Sequence, residues 1–160
     1  MGVAQAGVLA FVGQAIGAKV PFAMETVFSY WDPQPNGSVR SKIDLIREMQ
    51  AKGYFVLLFF VGLESSDLSI LRVDTRVSEG GHSIDAATLV RRFPRTQMAI
   101  SQALNVADAA ILTDNSRTSS EAFTVCRVQM GPLELYDLRV IAKPTPSVIL
   151  AWLNRVAPRP

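Results

Sequence analysis

The strongest hydropathy feature of the chain is "YFVLLFFV", residues 54–61, eight apolar residues in a row. Strands buried on both faces read this way, as in parallel sheets covered by helices. "AAILTDN", 109–115, repeats the pattern and ends in polar residues, which predicts a second buried strand. Between and around them the period changes. Residues 38–53 place Val39, Ile43, Ile46 and Met49 or Gln50 on one face, with Ser38 as a cap and Gly53 as a stop, which predicts an amphipathic helix. Residues 66–78 and 85–105 read as two more helices, the second with a break at Pro94. On it, Ala86, Leu89, Val90 and Phe93 trace the inner face, leaving Arg91, Arg92 and Arg95 outside. Residues 3–17 predict an apolar helix with Val8, Phe11, Val12 and Ile16 near helical spacing. "PFAMET", 21–26, predicts a short strand, and "WDPQPNGS", 31–38, a loop of turn formers. "AFTVCRVQ" and "LELYDLRV" predict a terminal hairpin around "MGP", and residues 146–156 a last helix carrying Trp152.

Alternating strands and helices argue for an α/β fold with a mostly parallel sheet in three layers. Ligands in such folds gather at the carboxyl ends of strands. Three polar signals fall there: Glu25–Thr26, the 64–95 segment, and Asp114–Asn115. The length of 160 residues suits one domain, and a net charge of +2 gives no global field for nucleic acid or membrane. Cys126 is the sole cysteine, so an internal disulfide or cysteine zinc cluster is excluded, and no metal site is expected. A lone thiol fits a reducing cytoplasm. The apolar start has no positive region before it, since Lys19 comes afterwards, so an export signal or anchor is not expected.

The 64–95 segment carries five acids and five arginines, so any function lies in how its arginines are placed. Arg72 and Arg76 share a helix face. Gly80–Gly81 permits a helix stop or a hinge, and His82, the only histidine, follows. Two arginine-bearing arms about a glycine pair have the form of a lid that closes on phosphate groups, for which planar guanidinium forks are suited. The bland alternative is a solvated face on which Arg72 and Arg76 pair with Asp74 or Glu79.

"ETVFS" (25–29), "GYFVLLFFVGLESSDLSILRVDTRVSEGGHSI" (53–84), "LVRRFPRT" (89–96) and "LTDNS" (112–116) resemble, in order and spacing, the zeta toxin family of P-loop kinases. The resemblance spans residues 6 to about 130. It implies a three-layer α/β/α kinase fold, ATP and Mg2+ as cofactors, and a sugar nucleotide such as UDP-N-acetylglucosamine as acceptor. It also implies an antitoxin protein as partner. By motif, Glu25 and Thr26 would lie in the substrate pocket. Arg72, Arg76 and Arg91 or Arg92 would contact ATP phosphates, with Gly80, Gly81 and His82 shaping the lid. Asp114 and Asn115 would border the nucleotide. The chain departs from the family at Val27, where threonine is common, and at Asp85, where proline is common. The larger departure is at the front. No G-x-x-x-x-G-K-[ST] loop is found; the nearest stretch, "GQAIGAKV" (13–20), has the wrong spacing, and Asp32 is misplaced for the family's base. The chain therefore reads as a zeta-toxin-like domain without its first strand and phosphate loop, with two roles open: a kinase by descent, or a catalytically dead domain binding nucleotide, sugar nucleotide or an antitoxin. An unpaired sheet edge, and self-association through it, are expected.

Overall fold

The computed structural model describes residues 3–141 and 144–159. Helix α1 (Val3–Ala18) comes first, then an extended stretch, then a small hairpin of β1 (Trp31–Pro33) and β2 (Val39–Ser41). Helix α2 (Lys42–Ala51) leads to strand β3 (Leu57–Gly62), and helices α3 (Ser66–Ser78) and α4 (Ala86–Ala103) lead to β4 (Ala109–Asp114). The hairpin of β5 (Thr124–Met130) and β6 (Leu133–Asp137) and helix α5 (Ser147–Val156) complete the fold. The fold is mixed α/β. No helix among the described residues is long and apolar enough to cross a membrane.

The main sheet has the order β3-β4-β5-β6. β3 and β4 are parallel neighbours, with Leu57 opposite Ala109 and Gly62 opposite Asp114. The other two pairings are antiparallel. The expectation of a mostly parallel sheet is therefore corrected to a mixed one. For β5 and β6 the physical reason is the two-residue turn Gly131–Pro132: Gly131 has φ of 51°, and so tight a turn can only join antiparallel strands.

Leu58, Ala110, Leu112 and Cys126 point to one face, where Ile43 and Ile46 of α2, Ile100 and Ala103 of α4, and Ile149, Trp152 and Leu153 of α5 close the core. The opposite face is open. Leu57 and Phe59 on β3 are 52% and 55% exposed, and Met130 and Leu133 on the hairpin are exposed with them. The third layer read from the unbroken apolar run is thus missing from that face. Both faces of β3 are apolar, but helices cover one.

Local chemistry moves several boundaries. The cap of α2 is Ser41 rather than Ser38: its side chain accepts from the Ile43 amide, and Asp44 accepts from the Ser41 amide in return. Ser38 instead donates to Asn36 within the β1–β2 turn. The stretch predicted as loop, 31–38, therefore supplies one hairpin strand. Pro94 lies inside a continuous α4 and breaks nothing. On α1, Val12 and Ala15 are buried while Val8 and Phe11 are exposed, so the helix is rotated from its expected face. Residues 21–26 form no strand; they have no backbone partner among the described residues.

Two buried polar anchors fix this frame. At the carboxyl end of the parallel pair, Trp152 Nε1 donates to Asp114 at 2.9 Å, and its ring lies over Gly62. At the far side of the sheet, Asp137 receives Arg139 at 2.9 and 2.5 Å and Arg127 at 3.1 Å, with Arg159 at 3.4 Å. Arg139 also donates to Asn154 and to the Ala157 carbonyl, which ties the hairpin to the end of α5. Burial alone would raise the Asp137 carboxyl, yet hydrogen bonds from Arg139 and its positive charge hold it below the ordinary value.

A methyl at position 62 would stand 2.4 Å from the Trp152 ring. Gly62→Ala should cost about 1–3 kcal/mol, the usual range for overpacking, and the loss should shrink in a Trp152→Ala background. Urea unfolding of the four proteins measures both quantities. The Asp137 cluster gives a second expectation. A carboxylate with a depressed folded pKa stabilises fully above its ordinary 3.8 and loses that contribution as pH falls through the folded value. Asp137→Asn should cost about 3–5 kcal/mol at pH 7, because buried guanidinium groups lose their partner. Its denaturation midpoint should approach that of the wild type only as the buffer is taken below pH 3.8 and on through the lowered folded value.

Candidate functional site

The carboxyl ends of β3 and β4 carry the polar residues singled out in the sequence, and each is placed by a local device. Helix α3 starts at Ser65, whose hydroxyl accepts from the Leu68 amide. It ends in a Schellman arrangement. Gly80 has φ of 92° and donates to the Val77 carbonyl, and Gly81 donates to Arg76 at 2.8 Å. A Cβ on Gly81 would meet Arg76 at 2.8 Å, so both glycines are required. The pair is a locked helix stop, not a free hinge. Helix α4 starts at Asp85, whose carboxylate accepts from the Thr88 amide at 2.9 Å. The hydrogen bonds from Thr88 hold the Asp85 carboxyl below its ordinary value. Asp85, where the resemblance leads one to expect proline, is a helix cap.

Between these helices and β3 lies a cavity of about 240 Å³. Phe60, Val61 and Leu63 form its floor, with Ile84, Leu89 and Phe93 on the α4 side. Its polar groups are Ser29, Ser69, Thr96, Gln97 and the guanidinium-bearing Arg92. Ser29 and Gln97 are buried, and Arg155 lies 3.5 Å from the Gln97 amide oxygen. No carboxylate, imidazole or thiol lines it, so the wall offers shape, hydroxyls and one positive charge, and no group to carry a proton at neutral pH.

Of the arginines expected to converge on phosphates, the structure brings Arg92 to this cavity. Arg72 turns to β4: its Nη2 donates to the Asn115 carbonyl and lies 3.5 Å from Asn115 Oδ1, while its Nε is buried with no partner. Arg76 is exposed and covers Gly81 with its aliphatic stem. Arg91 is exposed and donates to Thr88. His82 is exposed between the two helix ends. Asp114 is fully buried and faces the core. It accepts from Trp152, from the Ser116 hydroxyl at 2.8 Å and from the Ser116 amide, with Arg117 at 3.5 Å. Its oxygens are consumed by the fold. Glu25 is exposed and Thr26 half-buried; their neighbours Val27 and Ser29 line the cavity instead.

Sequence reasoning missed Ser29, Thr96 and Gln97. The signal was present: Leu89, Arg92, Phe93, Thr96 and Gln97 recur at helical spacing, one step round from the stripe read first. "GQAIGAKV" folds as the end of α1, so its amides through Ala18 are spent within the helix and form no cradle.

Cys126 is no nucleophile. It is fully buried, and burial together with the nearby Asp114 charge pushes its thiol up to about 12. It should resist a thiol reagent at pH 8 in the native protein and react fully once denaturant is added. Native labelling at the rate of a free thiol would contradict this placement.

No protein-family model, no curated protein and no solved structure matches the chain.

Proposed function

We propose that this chain is a zeta-toxin-like domain that binds a nucleotide or sugar nucleotide without transferring phosphate. One observation carries the reading: the cavity at the carboxyl end of β3, walled by the α4 stripe and holding Arg92, has binding chemistry and no acid–base chemistry. Two phenylalanines and five aliphatic side chains suit a planar ring or sugar body, and Arg92 with the hydroxyls of Ser29, Ser69 and Thr96 suits one phosphate. A volume near 240 Å³ is below the usual ~300–1,000 Å³ of a drug-sized site, so the ligand is held in part, its remainder in solvent.

ATP and Mg2+ as a phosphoryl donor do not fit the described residues. Transfer needs donors around the β- and γ-phosphates. Gly13 and Gly17, the glycines of the stretch most like a phosphate loop in sequence, lie inside a helix, and among the described residues no three His, Cys, Asp or Glu are grouped to hold a cation. The kinase reading rests on the sequence resemblance, and the antitoxin partner on that resemblance alone.

Titration with UDP-N-acetylglucosamine and with ATP tests the proposal. One of them should bind, and Arg92→Ala should weaken it about tenfold to a hundredfold, the worth of one charged hydrogen bond. With ATP, magnesium and UDP-N-acetylglucosamine together, phosphorylated sugar should stay at the level of a protein-free control. Turnover above that level would favour the kinase reading; binding indifferent to Arg92 would remove the cavity from consideration.

A further inference from the structure

Gln97 borders two spaces. On one side it lines the cavity with Phe93 and Thr96; on the other it lines an open groove of about 490 Å³ between α4 and α5. The groove follows one stripe of α4, Pro94, Gln97, Met98 and Ser101, at spacings of three and four, with Gln102 beside it and Arg155 of α5 opposite. Gln97 is 5% exposed. Its Oε1 faces Arg155 Nη1 at 3.5 Å, the outer limit of a hydrogen bond, and its Nε2 donates to no group among the described residues. That nitrogen is not sealed in. Arg72 Nε is the one sealed, unpartnered side-chain atom among the described residues, so Gln97 Nε2 opens onto free space and is available to a ligand.

The charge around the groove has one sign. Neither α4 nor α5 carries an Asp or Glu. Arg155 makes no ion pair among the described residues, and its guanidinium meets no acceptor there except Gln97. Ser101 is half-buried and adds a hydroxyl, while Pro94 and Met98 supply apolar surface.

We propose that this groove is a binding site for a small organic monocarboxylate. Arg155 takes the carboxylate on its guanidinium fork, Gln97 Nε2 and the Ser101 hydroxyl donate to its remaining lone pairs, and an aliphatic body lies on Pro94 and Met98. The single charge follows from the groove's own balance. Among the described residues Arg155 is the one cation that lines it, and it stands in the last turn of α5, where the helix carbonyls offset part of its charge. No lining residue lies at a helix N-terminus, the usual cradle of a phosphate. A planar fork matches a planar carboxylate in charge and in shape. The site is separate from the nucleotide reading, which turns on Arg92 in the neighbouring cavity.

Titration of the whole chain with 4-methylpentanoate, followed by NMR of the side-chain amides and methionine methyls, tests this. The carboxylate should bind saturably with a Kd on the order of 1 mM, as one charged pair and a small apolar contact allow. It should move the signals of the Gln97 amide and the Met98 methyl. The neutral isostere 4-methylpentanamide and inorganic phosphate at pH 8 should each bind about tenfold weaker or less. Arg155 is exposed, so Arg155→Ala should fold; it should weaken carboxylate binding about tenfold or more. Arg155→Lys, which keeps the charge without the fork, should weaken it less, and Arg92→Ala should leave it unchanged. The two ligand controls need no variant, so they decide the matter even where a variant misfolds. Four results overturn the proposal: no saturation at about thirty times the expected Kd, amide or phosphate bound as tightly as the carboxylate, binding that survives Arg155→Ala, or binding that falls with Arg92→Ala.

Discussion

The contact between the Trp152 indole and the carboxyl ends of β3 and β4 is the constraint on which the rest is built. Its ring needs the space left by Gly62, and its N–H needs the Asp114 carboxylate. That carboxylate is buried among apolar groups, where an unpaired charge would be far too costly. It is tolerated because a tryptophan, a serine and an arginine surround it. Holding α5 there puts Arg155 beside Gln97, and so fixes the α4 turn that carries Thr96 and the cavity wall. Packing and the candidate site are thus coupled through one side chain.

Much of the framework was legible in the sequence because it depends on local patterns. Residues 66–78, 109–114 and 147–156 fall within a residue or so of their predicted bounds, since apolar period and capping residues decide them. Sheet topology was not legible in the same way. An unbroken apolar run says that a strand is apolar on both faces; it does not say that something covers both. Leu57 and Phe59 are apolar and exposed, and that fact belongs to the tertiary arrangement. The strand expected over 21–26 failed for a related reason: its alternation is present, but a strand requires a bonded neighbour.

The site was legible in type and not in detail. Of the arginines expected to contact phosphates, Arg92 lines the cavity, while Arg72 is drawn to Asn115 and Asp114 to Trp152. A polar residue at a strand end can serve a ligand or close the fold, and sequence spacing does not separate the two. Burial and the full list of partners do. Arg92 differs from Arg72 in this respect, since it stands beside Leu89 and Phe93 on the α4 face that walls the cavity.

The locked ends of α3 and α4 have a mechanical consequence. Gly81 is committed to Arg76 and Asp85 to Thr88, so only His82, Ser83 and Ile84 separate two rigid rods. Any change of angle between them is confined to the backbone torsions of those three residues. The thirteen residues of α3 span ~20 Å at 1.5 Å per residue. Turning that rod by ~10° about its locked end would carry its far end ~3 Å, on the order of a hydrogen-bond length at that rise per residue. A joint this short acts as a knuckle, with the lever arm supplied by the helix.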